Sequence, residues 1–272
     1  MSETGDNPAR DAGSLGRRRV LVVGGTGRTG RLVLRSALAH GLVPVALARD
    51  EDRARSILVG DLRQIQITVG DITQPGSLGD AVSDVDSVIF VHGSDGEPSP
   101  GSFQRIDYGG VVNVMRAFGE RRPRVVLMTT FFVTHRDHYF NDGGHALDWK
   151  RRSERFIRFS RAPYTVVRPG WLDNGPAGSH ISLQQGDNRE AGITRENVAA
   201  VLVEALLSED AVGKTFEAFS GPGAAPNDWP ATFASLQSDL PGAIDAFGDT
   251  PNLPIVDEPS GVRDDLEPLK TD

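Results

Sequence analysis

The chain has 272 residues, 38% of them hydrophobic and 24% charged, a balance that predicts a globular protein with one large α/β domain or two smaller ones. Its formal net charge of −8 argues against nucleic-acid or membrane binding, because such binding requires concentrated positive charge, and it leaves a small-molecule substrate as the expected partner. The absence of cysteine excludes disulfides, a thiolate nucleophile and cysteine metal ligands, so a cytoplasmic location is expected.

The beginning of the chain is polar and lacks the apolar stretch of a signal peptide or an anchor, so residues 1–16 are predicted to form a disordered tail. From residue 17 onward, short apolar runs alternate with longer amphipathic stretches. This alternation is typical of βαβ units around a parallel sheet. It predicts one doubly wound α/β domain over residues 17–245.

The pattern defines a succession of elements along this domain. The predicted strands cover residues 20–23, 43–48, 65–71, 87–93, 124–130, 164–170 and 214–221. The predicted helices cover residues 27–40, 76–85, 103–120, 147–160 and 195–209. The regularity weakens after Trp171, and we expect residues 172–245 to include a small cap over the carboxyl ends of the strands, where a substrate would be selected. Residues 246–272 are acidic and contain prolines, and are expected to wrap over the surface or fray.

A glycine-rich turn joins the first predicted strand to the first predicted helix. Gly24, Gly27 and Gly30 form the pattern G-x-x-G-x-x-G between these two elements. A pyrophosphate can reach the free N–H groups of a helix N-terminus only where no side chain blocks the backbone, and glycine removes that block. The context therefore predicts a dinucleotide-binding loop in a Rossmann-like fold, although a purely structural glycine-rich turn is the alternative. The predicted cofactor contacts in this loop are Gly24, Thr26, Gly27, Arg28, Thr29 and Gly30.

The end of the second predicted strand bears on the choice between NAD and NADP. An NAD-binding chain presents a carboxylate there to the ribose 2′-hydroxyl, whereas this chain has Ala48 followed by Arg49. A guanidinium is a planar, permanently charged donor that suits a phosphate. Together with Arg28, Arg49 predicts NADP(H) as the cofactor. The competing interpretation is that Asp50 turns inward and Arg49 outward, which would favour NAD.

Four segments, GGTGRTG, ALARD, VGDITQPGSL and SVIFVHG, resemble successive cofactor-side motifs of the atypical short-chain dehydrogenase/reductases. This is the branch with the NmrA-like proteins and the biliverdin-IXβ/flavin reductases. The resemblance runs from about residue 20 to residue 171 and resumes in TRENVAAVLVEAL. It implies that Asp71 and Ile72 contact the adenine and that Val91, His92 and Gly93 line the ribose next to the nicotinamide. It further implies that the segment RPGW, with Pro169, Gly170 and Trp171, brackets the nicotinamide and opens the substrate pocket.

Catalytic members of this superfamily typically carry Tyr-x-x-x-Lys on the helix after strand five and a Ser or Thr at the end of that strand. The resemblance matches Lys150 to the lysine and implies that it holds the nicotinamide ribose; a solvated residue in a Lys-Arg-Arg run is the alternative. The tyrosine position is Ala146, so the usual proton donor is missing. Thr129 and Thr130 keep hydroxyls at the strand end, where Thr130 is expected to orient the substrate.

Three other side chains are candidates for the missing acid: His145, Tyr139 in a polar loop, and Tyr108 on the preceding helix. The segment HRDH over residues 135–138 suggests a metal pair, but two histidines without a third ligand rarely form a site, so no metal is expected. The polar loop over residues 93–103 is expected to act as a wall or lid of the site.

These observations support two hypotheses from different classes. The first is an NADP(H)-dependent oxidoreductase that transfers hydride between NADPH and a small conjugated or carbonyl substrate without a tyrosine acid. A flavin, quinone or tetrapyrrole-like acceptor could take its proton from water. The second is a non-catalytic, NADP(H)-binding redox-sensing regulator of the NmrA-like kind. An isomerase or epimerase is disfavoured because it normally relies on the same missing tyrosine.

Overall fold

The computed structural model describes residues 18–94, 99, 101–175 and 178–267. The predicted tail over residues 1–16 lies outside the described residues, and so does part of the predicted wall loop, residues 95–98 and 100. Within the described ranges, no helix combines the length and the apolar character that crossing a lipid bilayer requires.

The described residues form one central sheet of eight strands and a separate sheet of two short strands. The strands are β1 (Arg19–Val23), β2 (Val43–Ala48), β3 (Gln66–Val69), β4 (Ser87–Phe90), β5 (Arg124–Met128), β6 (Tyr164–Pro169), β7 (Trp171–Asp173), β8 (Ser179–Gln184), β9 (Gly192–Thr194) and β10 (Lys214–Ala224). The order across the sheet is β3-β2-β1-β4-β5-β6-β10-β8, and every pair is parallel except β10 with β8. Strands β7 and β9 form a separate short parallel pair. The order reverses between β1 and β4, which confirms the predicted Rossmann-like, doubly wound fold.

Helices connect these strands and cover the sheet. The helices are α1 (Arg28–Ala39), α2 (Glu51–Ile57), α3 (Gly79–Val82), α4 (Gly109–Ala117), α5 (Ala146–Phe159), α6 (Arg195–Leu207), α7 (Trp229–Ala234) and α8 (Ser260–Leu266). The stretch predicted as one helix over residues 103–120 begins instead with a π-helical turn over Phe103–Tyr108, directly before α4. Such turns are rare and occur frequently at functional sites.

The sheet is buried on both faces, as expected for parallel strands. Alternate residues of β1 point to opposite sides: Val20 and Val22 pack with α1 and α6, whereas Leu21 and Val23 pack with α4 and α5. The apolar runs that predicted the strands therefore fill two cores. The helices hold the sheet between them and leave its carboxyl edge accessible for a site.

The residues after Trp171 were expected to include a small cap, but some of them belong to the central sheet. Strands β10 and β8 extend the central sheet beyond β6, and α6 packs on the same face as α1. Residues 246–267 run along the outside of α5, where Leu253, Val262 and Leu266 are buried. The acidic residues of this segment bind arginines of the domain, so it forms part of the folded unit.

Candidate functional site

A cleft of about 480 Å³ lies at the carboxyl ends of the strands, where the strand order reverses. In open α/β sheets, ligands bind at this position because the loops on either side turn away from each other. The cleft is lined by Val23, Gly24, Thr26, Gly27, Leu47, Ala48, Arg49, Gly70, Asp71, Ile72, Thr73, Val91, His92, Gly93, Arg105 and Ile106. Most residues predicted to contact the phosphates, the adenine and the ribose next to the nicotinamide thus lie around one cavity.

The glycine turn between β1 and α1 has the geometry that an anion requires. Gly24 has a φ of +89°, and a Cβ atom there would lie 2.8 Å from the backbone nitrogen of His92. A Cβ atom at Gly30 would overlap the carbonyl oxygen of Gly24. Gly27 is the N-cap of α1, where no side chain caps the helix and no acidic residue occupies the first turn. The N–H groups of this helix end therefore face the cleft without a competing carboxylate, which fits a pyrophosphate.

The structure separates the two arginines that were predicted to bind a 2′-phosphate together. Arg49 is exposed and lines the cleft. The carboxylate of Asp50 accepts a hydrogen bond from the Arg53 N–H at 2.7 Å and caps α2, so it is not turned toward the cleft. Arg28 lines a neighbouring groove together with Arg31 and other residues of α1. Arg49 therefore lies at the rim of the cleft, whereas Arg28 lies in the groove beside it.

The loop after β3 is held in a defined shape. The Asp71 carboxylate accepts hydrogen bonds at 2.8 Å from both the N–H and the hydroxyl of Thr73. The Asn113 side chain donates to the Ile72 carbonyl at 2.8 Å. These contacts fix Asp71 and Ile72 at the wall of the cleft, where the resemblance predicts the adenine.

His92 presents an unsatisfied acceptor beside the cleft. Its Nε2 lies 3.0 Å from the Ile106 carbonyl and so carries the proton, while its Nδ1 is buried and has no hydrogen-bond partner among the described residues. Burial lowers the pKa of His92, which keeps the ring neutral and leaves a lone pair on Nδ1. A buried acceptor without a donor fits a hydroxyl group of a bound molecule, such as a ribose hydroxyl.

Lys150 forms a buried ion pair that the sequence alone did not indicate. Its Nζ lies 2.5 Å from Oδ1 of Asp107, on the π-helical turn, and the Ser94 hydroxyl donates to the other oxygen of Asp107 at 2.5 Å. Burial by itself would raise the pKa of Asp107, but Lys150 and Ser94 outweigh it and hold this pKa below its ordinary value. The Lys150 side chain is only 14% exposed, so it is directed into the protein and not into solvent. The π-helical turn aims Asp107 at Lys150, and helical periodicity does not reveal such a turn.

The remaining predicted site residues stand at the ends of β5 and β6 and do not line the 480 Å³ cleft. The Thr129 hydroxyl donates a hydrogen bond to the buried Glu154 carboxylate at 2.6 Å, so it points into the protein interior. Thr130 is half-buried, Pro169 is buried, and a Cβ atom at Gly170 would overlap the Ala191 carbonyl oxygen. These residues lie next to the cleft in the sheet order, because β5 and β6 follow β4.

The structure places the three candidates for the missing acid in different surroundings. The Tyr108 hydroxyl donates to Asp265 at 2.8 Å, and burial together with Asp265 raises the pKa of Tyr108 well above its ordinary value. His145 has a φ of +56° and is exposed, with its Nδ1 3.7 Å from a carboxylate oxygen of Asp148. Tyr139 is 59% exposed. Ala146 is the first residue of α5.

The two histidines of the HRDH segment make separate contacts. His135 Nε2 lies 2.8 Å from the Asp187 carbonyl, and His138 Nδ1 accepts a hydrogen bond from the Phe140 N–H at 3.3 Å. In the part of the chain that the structure describes, no group of three or more His, Asp or Glu residues is placed to hold a metal ion.

An aromatic surface stands at the carboxyl ends of β5 and β6, and we call it the aromatic wall: Phe131, Tyr139, Phe140 and Trp171. The Trp171 ring centroid lies 5.1 Å from that of Phe131 and 5.4 Å from that of Phe140, and Tyr139 and Phe140 are 4.6 Å apart. Trp171 is 37% exposed and Tyr139 is 59% exposed. The sequence analysis predicted site roles for Trp171 and, as a candidate acid, for Tyr139, but none for Phe131 or Phe140. The signal that it missed is the aromatic pair Phe131–Phe132 shortly after β5.

The chain is similar to known NAD(P)H-binding proteins. A family profile described as NAD(P)H-binding matches residues 24–209. Sanguinarine reductase from Eschscholzia californica is 26% identical over 80% of this chain and 95% of its own length. An uncharacterised chloroplastic protein of Arabidopsis thaliana is 29% identical over 81% of this chain and 83% of its own length.

Solved structures share the fold. A putative NAD-dependent epimerase/dehydratase from Bacillus halodurans has a TM-score of 0.69 and 25% identity, covering 80% of this chain and 100% of that one. A wide-type short-chain dehydrogenase/reductase from Veillonella parvula, solved in complex with NADP, has a TM-score of 0.59 and 17% identity over 78% of this chain and 99% of its own. The matches to the profile, the relatives and the structures confirm the predicted resemblance to atypical short-chain dehydrogenase/reductases.

Proposed function

Because the chain belongs to the NAD(P)H-binding family, we propose that it is an NADP(H)-dependent oxidoreductase that transfers hydride between NADPH and a small conjugated or carbonyl substrate. The observation that carries the proposal is the cleft at the reversal of the strand order, with its uncapped helix end, next to a partly exposed aromatic wall. The reductase named among the relatives supports the direction of the reaction.

In this proposal each part of the cleft binds one part of the dinucleotide. The N-terminus of α1 holds the pyrophosphate, Asp71 and Ile72 flank the adenine, and Arg49 binds the 2′-phosphate. His92 accepts a hydrogen bond from a ribose hydroxyl through Nδ1. Lys150, held by Asp107, binds the nicotinamide ribose. NADPH, when bound, supplies the hydride, and the protein orients it.

The absence of the tyrosine restricts the acceptors that the site can serve. Ala146 has no proton to give, and the hydroxyls of Tyr108 and Thr129 are committed to Asp265 and Glu154. A conjugated acceptor that delocalises negative charge can take its proton from water, so no protein acid is needed. In the aromatic wall, the partly exposed rings of Trp171 and Tyr139 offer faces on which such an acceptor would stack.

The direct test follows NADPH oxidation by the full chain with a panel of flavin, quinone and carbonyl acceptors, after titration with NADPH and NADH. We expect binding of NADPH and turnover of quinone or flavin acceptors. Absence of NADPH binding would overturn the cofactor assignment. Turnover restricted to simple carbonyl compounds would overturn the role given to conjugation.

A charge reversal at Arg49 tests the choice of cofactor. Hydrogen bonds to charged groups contribute about 1.5–3 kcal/mol, so Arg49→Asp should lower the NADPH-over-NADH affinity ratio by roughly 10- to 100-fold. The matched control is Arg53→Asp, which makes the same charge change at an exposed position of α2 outside the cleft. Fluorescence titration of both variants measures the two affinities. An unchanged ratio in Arg49→Asp would contradict the assignment of the phosphate to Arg49.

A specific observation also favours a second candidate, the NADP(H)-binding redox-sensing regulator of the NmrA-like kind. Neither Tyr108 nor Thr129 has a hydroxyl that faces a substrate. Tight NADPH binding without turnover of any acceptor in the panel would favour this candidate.

The cytoplasmic location stays a prediction. The name of the related Arabidopsis protein places that relative in the chloroplast.

A further inference from the structure

We propose that Asp187 is a positioning residue that holds the loop carrying the aromatic wall and thereby sets the affinity of the site for a flat aromatic acceptor. The inference rests on the proposed function, because it takes the aromatic wall as the substrate surface. Asp187 lies between β8 and β9, is 0% exposed and does not itself reach that surface. It acts through the segment that follows β5.

Both carboxylate oxygens of Asp187 are committed to this segment. Oδ1 accepts a hydrogen bond from the Phe132 N–H at 2.5 Å. Oδ2 accepts two, from the Thr134 N–H at 2.8 Å and from the Thr134 hydroxyl at 2.9 Å. Three donors, two of them backbone N–H groups, converge here on one buried side chain. Asp187 is therefore the main polar anchor of the turn after β5.

The backbone on both sides of this contact adopts an uncommon conformation. Phe132 has a φ of +68° and Asp187 a φ of +56°. A bulky aromatic residue rarely occupies the left-handed region, because its side chain is strained there. The hydrogen bonds that Asp187 accepts offset this strain, because the left-handed turn at Phe132 brings the N–H groups of Phe132 and Thr134 onto one carboxylate.

Asp187 is in turn fixed from the opposite side. Its N–H donates to Glu217 of β10 at 3.1 Å, and its carbonyl accepts a hydrogen bond from His135 Nε2 at 2.8 Å. The His135 ring packs 4.5 Å from the Phe132 ring. The central sheet thus holds Asp187 in place, and Asp187 holds the loop.

The loop carries the rings of the aromatic wall. Phe131 stands next to Phe132, with ring centroids 4.2 Å apart, and packs edge-on against Trp171 and against Phe219 of β10. The same loop continues to Tyr139 and Phe140, which complete the wall. If the anchor is loosened, Phe131 no longer supports the partly exposed ring of Trp171, whereas the dinucleotide cleft at β1, β2 and β4 keeps its own contacts.

The test compares Asp187→Asn with Asp142→Asn, the same chemical change at an exposed position of the same loop. An amide has one acceptor oxygen, and its NH₂ group would face one of the two backbone donors, so at least one hydrogen bond is lost. In steady-state NADPH oxidation with menadione and with FMN, we expect the KM of Asp187→Asn to rise by roughly 10-fold, as for the loss of about 1.4 kcal/mol. The Kd for NADPH should stay within about twofold of that of the unmodified protein.

Hydrogen exchange separates failure of this inference from failure of the proposed function. We expect faster amide exchange over residues 131–135 in Asp187→Asn and unchanged exchange in Asp142→Asn. If the unmodified protein reduces neither acceptor, the proposed function fails and FMN binding, measured by quenching of its fluorescence, replaces KM. An unchanged KM or FMN affinity, or an equal loss of NADPH affinity, would overturn the role of Asp187. Should Asp187→Asn not fold, Thr134→Val removes one of the three hydrogen bonds and should raise the KM by about threefold.

Discussion

Gly30 shows how a single residue fixes the geometry of the cofactor turn. Its backbone packs against Gly24, and a Cβ atom would overlap the Gly24 carbonyl oxygen and lie 2.7 Å from the Gly25 Cα. The neighbouring atoms are backbone and cannot move aside as a flexible side chain would. The third glycine of the motif therefore brings α1 close to β1, which aims the helix end at the cleft.

We expect Gly30→Ala to lower the free energy of unfolding by about 2–3 kcal/mol, even though alanine is the better helix former. Urea denaturation measures the change, and NADPH affinity should fall with it because the turn is displaced. The control is Gly79→Ala at the first residue of α3, where a Cβ atom meets nothing within 4 Å. A stability of Gly30→Ala equal to that of the unmodified protein would show that the turn tolerates a side chain.

For other residues at the cleft, the sequence predicts the residue type but not its hydrogen-bond partner. The order Ala48-Arg49-Asp50 left two interpretations open, and the hydrogen bond from the Arg53 N–H to Asp50, which caps α2, could not be read from that order. The unsatisfied Nδ1 of His92 could not be predicted, because it depends on the carbonyl of Ile106 from a distant turn. Local chemistry is readable from the sequence, whereas the partner of each polar atom depends on the fold.

At the scale of elements, α5 differs most from its predicted character. The predicted face with Trp149 and Phe156 is buried, as its spacing indicates. The opposite face, with Arg151 and Arg155, is also buried, although its composition is typical of a solvated surface. The charge pattern of a helix predicts exposure only if nothing covers it, and here the C-terminal segment does.

The pair of neighbouring strands β6 and β10 carries a buried cross-strand ion pair between Arg168 and Glu217. Burial raises the pKa of Glu217 to about 7, against the opposing charge of Arg168 and with the additional effect of Asp187. Arg168 is shared with Glu154 and Asp249, so Glu217 receives only part of its charge. The element pair therefore contains a carboxyl group that keeps its proton to near neutral pH.

This shift predicts a pH dependence of stability. Between pH 4.5 and about 7, Glu217 keeps its proton in the folded state and has released it in the unfolded state. The stabilisation from this group is therefore fully present below pH 4.5, and it is lost as the pH rises through about 7. Glu217→Gln keeps a neutral side chain at every pH. The unfolding free energy of the unmodified protein minus that of Glu217→Gln should therefore fall by about 3 kcal/mol between pH 4.5 and 8. Urea denaturation at several pH values measures it, and a constant difference would contradict the assignment.

At the scale of the whole molecule, the C-terminal segment completes the ionic interior. Arg151 donates to Asp245, to Asn252 and to the Thr250 carbonyl, and Arg155 binds Asp245 and Glu258. The guanidinium of Arg168 on β6 binds Asp249 through two hydrogen bonds of 2.7 and 2.8 Å. The acidic residues that predicted a surface segment thus supply further carboxylates to arginines that are buried in the domain.

Removing one of these partners should destabilise the whole chain. Breaking a buried ion pair typically costs 3–5 kcal/mol, so Asp249→Asn should lower the free energy of unfolding by about 3 kcal/mol, since Arg168 keeps Glu154. Asp264→Asn, at an exposed position of the same segment, is the matched control and should change it by less than about 0.5 kcal/mol. Thermal and urea unfolding measure both, and equal values for the two variants would show that the segment is not an essential part of the fold.

The sequence by itself determined the order of the elements, the Rossmann-like sheet and the glycine turn, and its resemblance to the short-chain dehydrogenase/reductases assigned Ala146 to the position of the usual tyrosine. Each of these depends on residues close together in the chain: a run of apolar residues, a helix start, or a spacing of four. Only the tertiary structure decided that Lys150 pairs with Asp107, that the arginines of α5 are buried and that Asp187 holds the loop with Phe132. These contacts join residues 43 to more than 100 positions apart, and their partners are chosen by packing and desolvation, which no local pattern records.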